Sequence, residues 1–145
     1  MFTVADILRE KGDQVWTVGR SAVVGDAVEL MADKNVGAVV VVGDDGKPVG
    51  IISERDIARA LLKRSSGIRE TPVADIMTKL VKSIRETLSM QEVMAVMTHN
   101  RFRHLPVSRD GQLAGLVSIG DVVKAEIQER GVVIDQLEHY IAGSL

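Results

Sequence analysis

The chain has 145 residues, with 18 Lys and Arg against 20 Asp and Glu, a formal charge of −2, 46% apolar residues, 3% aromatic residues and no cysteine. That length suits one compact unit, the charge provides no general field for nucleic-acid phosphates or an anionic membrane, and the missing cysteines exclude disulfides, thiolate metal sites and thiol nucleophiles. The longest apolar stretch, Val36 to Val42, falls well short of the roughly 20 residues that span a bilayer, and Met1 to Asp6 lacks a basic region and hydrophobic signal core, so a cytoplasmic location is expected.

Val4-Ala5-Asp6-Ile7 opens the chain, and Thr17-Val18 follows as a short strand. Apolar residues at Val24, Ala27, Val28 and Met31 then trace the i, i+3, i+4, i+7 stripe of a helix with one buried face. Val23 holds the cap position, so this helix has no side-chain cap. Ala38 to Val42 and Pro48 to Ile52, split by Asp44-Asp45-Gly46, form a strand pair joined by a tight turn. The near-continuous valines call for strands covered on both faces, by helices on one side and a sister sheet on the other. Gly50-Ile51-Ile52-Ser53-Glu54-Arg55-Asp56 leads from strand to helix, with Ser53 and Asp56 at capping-box spacing. Residues 65–72, polar and punctuated by Gly67 and Pro72, make a connector.

The same order then returns. Val73-Ala74-Asp75-Ile76 answers the opening, and at a shift of 66 Glu92 to Met97 answers Asp26 to Met31, with Ser89 and Glu92 as a capping box. Arg109-Asp110-Gly111 is the second turn, and Gly115-Leu116-Val117-Ser118-Ile119-Gly120-Asp121 answers Gly50 to Asp56 at a shift of 65. The expected fold is α/β (α+β): two repeats, residues 1–64 and 73–130, each strand-helix-strand-strand-helix. A copy of about 60 residues buries only about 60% of its unfolded surface, so the copies must pack together. Residues 131–145 follow as an amphipathic helix, its stripe of Ile134, Leu137 and Ile141 suited equally to its own core or to a second subunit.

The repeated Gly-apolar-apolar-Ser-x-x-Asp has a plain structural use, because Ser and Asp satisfy free amides at a helix start. It also has a chemical one. A helix N-terminus favours phosphate, a carboxylate beside it can accept from a ribose diol, and the preceding strand can wall a flat base.

In this twice-repeated order the chain resembles, over residues 1–130, a tandem pair of cystathionine-beta-synthase (CBS) domains, a Bateman module, and above all the stand-alone bacterial proteins made of that pair alone. The resemblance implies two sheets packed around a pseudo-twofold axis and two clefts for adenosyl ligands such as AMP, ADP, ATP or NAD(H). It implies a non-enzymatic sensor, a homodimer modulating an unidentified partner protein. On that resemblance Ser53 and Asp56 bind ribose and phosphate in one cleft, Ser118 and Asp121 in the other. Thr17, Val18, Ser83 and Ile84 lie where the base is contacted, with Gly37, Ala38, Val39, Arg103, His104 and Leu105 on the strand beside it.

Arg101, Arg103 and His104 stand where the first copy has Asn35, Gly37 and Ala38, and Arg55 stands where the second has Gly120. Phosphate is expected on the arginine side, although Arg101-Phe102-Arg103 would also suit a solvated surface cluster. Arg103→Ala and Asp121→Ala are each expected to weaken AMP binding at least about tenfold.

Other chemistry finds no footing. The sequence has no Gly-x-Gly-x-x-Gly, no phosphate-loop motif and no Gly-x-Ser-x-Gly elbow. His99 and His139 lack partners at metal-ligand spacing, and Trp16 is a core candidate. The competing readings are a structural or oligomerising module with vestigial clefts, an enzyme, and a nucleic-acid binder using Phe102 between two arginines. The preferred adenosyl ligand, and energy against redox sensing, stay open.

Overall fold

The computed structural model describes residues 2–12, 14–64, 66–79 and 83–130. The stripe at Ile134, Leu137 and Ile141, and His139, lie outside the described residues. After helix α1 (Val4–Lys11) come β1 (Thr17–Gly19), α2 (Val24–Lys34), β2 (Ala38–Val42), β3 (Pro48–Ser53) and α3 (Glu54–Lys63). A single 3₁₀ turn, Val73–Asp75, and β4 (Thr78–Lys79) lead into β5 (Ile84–Arg85), α4 (Met90–Asn100), β6 (His104–Arg109), β7 (Gln112–Ser118) and α5 (Ile119–Glu129). The expected strand-helix-strand-strand-helix order is thus present twice, β1 to α3 and β5 to α5.

Two small sheets form, in the orders β1-β2-β3-β4 and β5-β6-β7, the first completed by β4 from the opening segment of the second repeat. In both, the first strand runs parallel to the second and the second pairs antiparallel with the third. A parallel pair needs a crossover, which α2 and α4 supply. Of their predicted stripes, Val24, Ala27 and Met31 are buried in one core and Met90, Val93 and Met97 in the other, with Val28 and Met94 partly buried against them. Along β2, Val39 and Val41 join the helix-covered core while Val40, paired with Ile51, faces the other way and is equally buried. Both faces of that strand are covered, which is why the run is nearly all valine.

Reciprocal exchange of the opening segments unites the halves. Val4, Ile7 and Leu8 of α1 belong to the core of the second repeat, whereas Val73 belongs to the core of the first. The contacts mirror one another: the Val4 amide donates to the Leu88 carbonyl at 2.9 Å, and the Val73 amide donates to the Ala22 carbonyl at 2.8 Å. The same contact made in both directions is the mark of an approximate twofold axis between the repeats. Each body therefore depends on chain from the other for its core, as the marginal size of one copy demands.

Two glycines admit these exchanged segments. A Cβ on Gly115 would stand 2.6 Å from Leu8 Cδ2, and one on Gly50 would stand 2.5 Å from Met77 Sδ and 2.9 Å from the Thr78 carbonyl oxygen. The glycine of the repeated motif thus makes room for the other half's chain.

The helix starts follow the capping chemistry. Ser53, Ser89 and Ser118 each accept from the amide three residues on, and Asp56, Glu92 and Asp121 each accept from the amide of their serine. At α2 only one half of the exchange exists, the Val23 amide donating to Asp26 at 3.3 Å. Ser89 is only 8% exposed, so Ser89→Ala is expected to cost about 1 kcal/mol. Urea unfolding should show a lower midpoint with an unchanged slope.

Candidate functional site

The two Ser-x-x-Asp helix mouths are alike in backbone and unlike in surroundings. At the start of α3, Asp56 Oδ2 accepts from the Ser53 amide at 2.9 Å and from the Ser53 hydroxyl at 3.0 Å. Its other oxygen, Oδ1, accepts from Thr78 Oγ1 at 3.0 Å. Thr78 reaches this point because β4 pairs with β3, placing Thr78 opposite Ile51 and Lys79 opposite Gly50.

This mouth opens into a cavity of about 580 Å³ shared by both repeats. Gly37, Ser53, Arg55 and Asp56 of the first repeat meet Arg101, Arg103, His104 and Leu105 of the second. The sequence predicts that the basic strand opening serves the helix mouth of its own copy. In the structure Arg101 and Arg103 instead line the cavity into which the mouth at Ser53 opens. Among the lining residues for which the sequence predicts no nucleotide contact are Glu54, Arg59, Thr78, Lys79 and Phe102. Arg59 could have been found, because it lies four residues after Arg55 and so on the same helical face. Thr78 and Lys79 could not, because only the exchange of segments brings them here.

Four arginines and one lysine line the cavity against two carboxylates, Glu54 and Asp56. None of the five cations makes an ion pair among the described residues. Unneutralised cations gathered in a concave site focus potential and attract anions.

At the second mouth a side chain already fills the equivalent place. Lys11, at the end of α1, donates through Nζ to Asp121 Oδ2 at 2.7 Å and to the Leu116 carbonyl at 3.0 Å. Burial raises the Asp121 carboxyl, but Lys11 and the Ser118 amide outweigh that and hold it below the usual carboxylate range. Ser118 pairs in register with His104, the counterpart of Ser53 with Ala38, but neither Ser118 nor Asp121 lines the shared cavity.

The remaining expected site residues belong to strands or their edges. Val18 packs against the first core, Val39 and Ile84 are buried within the two cores, Ala38 is buried at the start of β2, and Thr17 and Ser83 are exposed. None of these six lines the cavity. Trp16 is half-buried against the first core, with Lys34 Nζ 4.5 Å from its ring centroid, a cation–π arrangement. His99 is exposed on α4.

His104 sits between the two mouths. Burial pushes its imidazole below the ordinary 6.5; Asp121 opposes that push, Lys11 adds to it, and Asp56 and Glu54 oppose it more weakly. A depressed histidine binds fewer protons folded than unfolded, so stability is full above about pH 6.5 and is lost as the pH falls toward the folded value. Between pH 7.5 and 5.5 the thermal midpoint of the wild type is expected to drop more than that of His104→Gln.

Among the described residues no helix is long and apolar enough to cross a membrane. No group of three or more His, Asp or Glu among them could hold a metal ion.

The family model for the CBS domain matches twice, at residues 4–63 and 73–128. The CBS domain-containing protein CBSX3, mitochondrial, of Arabidopsis thaliana is 39% identical, over 97% of this chain and 72% of its own length. The solved structure of a protein with CBS domains from Burkholderia ambifaria MC40-6 superposes with a TM-score of 0.82 at 42% identity, covering 92% of this chain and 99% of the other. CBSX2, solved in complex with AMP, superposes with a TM-score of 0.68 at 30% identity, covering 90% of this chain and 99% of the other.

Proposed function

The chain belongs to the CBS-domain family as a tandem pair, and from that premise we propose that it is a regulatory module that binds an adenine nucleotide in the cavity between its two repeats. The observation that carries this reading is the union, in one cavity, of the Ser53–Asp56 helix mouth with arginines from the other repeat that make no ion pair among the described residues. A ribose diol fits the carboxylate and a phosphate fits the arginines. A similar protein crystallised with AMP supports the choice of ligand class. On this reading Ser53, Arg55, Asp56, Arg101, Arg103 and His104 are the principal contacts.

Binding without turnover is part of the proposal. A switch needs only a ligand that binds one arrangement of the halves better than another, and their reciprocal exchange gives the ligand contacts on both. The module works in the cytoplasm on a separate partner protein, and as a homodimer. Leu61 and Leu62 of α3 are 54% and 90% exposed, and Ile119 and Val123 of α5 are 48% and 49% exposed. These two helices follow the repeated motif and are related by the internal twofold, so a second copy could cover both apolar surfaces at once. Sedimentation at micromolar concentration should give a dimer, and Leu62→Asp with Val123→Asp a monomer.

The deciding experiment is a thermal-shift panel of AMP, ADP, ATP, NAD and NADH, with mass spectrometry of nucleotide released on denaturation. A ligand at 100 times its Kd stabilises by about 2.7 kcal/mol, which is readily seen. No shift with any of them and no released nucleotide would return the chain to a structural module. Turnover of ATP or NADH above about 1 per second would make it an enzyme.

A further inference from the structure

The cavity holds more positive charge than one phosphate monoester can neutralise. Arg55 and Arg59 stand one helical turn apart on α3, Lys79 lies on β4, and Arg101 and Arg103 flank Phe102 ahead of the body of β6. The two carboxylates among the lining residues leave an excess of three positive charges. One of them, Asp56, is already engaged by Ser53 and by Thr78. A monoester such as AMP carries about two negative charges near neutral pH. The residual repulsion among the cations would oppose closure around it, because like charges in a partly enclosed site interact more strongly than in water.

The layout of the cations matches that excess. Arg55 adjoins Asp56 at the mouth of α3, but Arg59 lies a full turn farther along the helix. Lys79 follows Thr78, so the strand that places a hydroxyl on Asp56 carries an ammonium one residue farther on. Cations thus occur beside the sugar-binding carboxylate and again at one remove from it, on the first repeat's helix and on the exchanged strand, with Arg101 and Arg103 contributed by the second repeat.

We propose that this cavity selects a nucleoside di- or triphosphate over a monophosphate, with Arg59 and Lys79 gripping the terminal phosphates while Arg55, Arg101 and Arg103 hold the one nearest the sugar. The inference rests on the adenine-nucleotide reading above and adds to it the length of the phosphate chain. Arg59 and Lys79 are its specificity-determining residues.

Calorimetric titration of the full chain without magnesium, using adenosine, AMP, ADP, ATP and inorganic tripolyphosphate, tests it. ATP is expected to bind at least about tenfold tighter than AMP, to lose more affinity than AMP on added salt, and to be displaced by tripolyphosphate. The double variant Arg59→Gln, Lys79→Gln should lower the ratio of ATP to AMP affinity at least about tenfold, with an unchanged thermal midpoint showing that it is folded. Equal affinity for AMP and ATP, or an unchanged ratio in the double variant, overturns the terminal-phosphate grip and supports the plain nucleotide reading. Tripolyphosphate binding with no affinity for adenosine or any adenine nucleotide overturns the nucleotide reading and supports an anion clamp alone. No binding of any of the five overturns both.

Discussion

Asp56→Ala and Arg103→Ala are each expected to weaken AMP binding at least about tenfold, roughly 1.4 kcal/mol, whereas Asp121→Ala changes it less than about threefold. Asp56 and Arg103 come from different repeats but line the same cavity. Hydrogen bonds to charged groups carry about 1.5–3 kcal/mol each, so loss of either partner of the ligand should exceed the tenfold mark. Asp121 is held by Lys11 at 2.7 Å and lies off that cavity. A ribose would have to displace an ammonium there, so one nucleotide per chain is the expected stoichiometry. This parts from the sequence-based expectation, which paired Arg103 with Asp121 in a single cleft. Because Asp56 also caps α3, Asp56→Asn belongs beside Asp56→Ala: its side-chain oxygen can still accept from the Ser53 amide, but it carries no charge for the Arg and ribose network. Calorimetry gives affinity and stoichiometry together, and circular dichroism confirms the fold. Equal losses at Asp56 and Asp121 with a stoichiometry of two would show that both mouths bind.

Gly50→Ala is expected to cost about 1–3 kcal/mol through overpacking, seen as a thermal midpoint lowered by roughly 3 °C or more. The new methyl would lie 2.5 Å from Met77 Sδ and 2.9 Å from the Thr78 carbonyl oxygen. The methionine can swing aside, but the carbonyl belongs to backbone paired in β4. Displacing β4 pulls Thr78 off Asp56 and Lys79 out of the cavity, so nucleotide affinity should fall with stability. Gly115→Ala is the matched control. The three atoms nearest its methyl all belong to the Leu8 side chain, the closest at 2.6 Å, so relaxation is cheaper, and Gly115 does not line the cavity. If the two variants lowered the midpoint alike and neither affected binding, the close approach at Gly50 would not be what positions β4.

Much of the fold was legible because the interactions that create it are short-range. The stripe from Val24 to Met31, the capping boxes at Ser53, Ser89 and Ser118, and the Asp110-Gly111 turn between β6 and β7 each involve residues within a few positions of one another. The duplication disclosed the two sheets and their approximate symmetry. The candidate cavity was half legible: the motif serines and aspartates and the basic cluster Arg101 to His104 stand out in the sequence, but their assortment does not.

By itself, then, the sequence determined two copies of one strand-helix-strand-strand-helix unit, each too small to close its own core, with a hydroxyl and a carboxylate at the mouth of each last helix. Only the tertiary structure decided that the opening segments change places, that Arg101 and Arg103 line one cavity with Asp56, and that Lys11 meets Asp121 across 110 positions of chain. The reason is physical: periodicity and capping record what a residue does to its neighbours along the chain, whereas a hydrophobic segment gains nearly the same burial in either of two homologous cores. Which core it fills is settled by fit, as where Leu8 lies on Gly115 and Met77 on Gly50, and no local pattern records that fit.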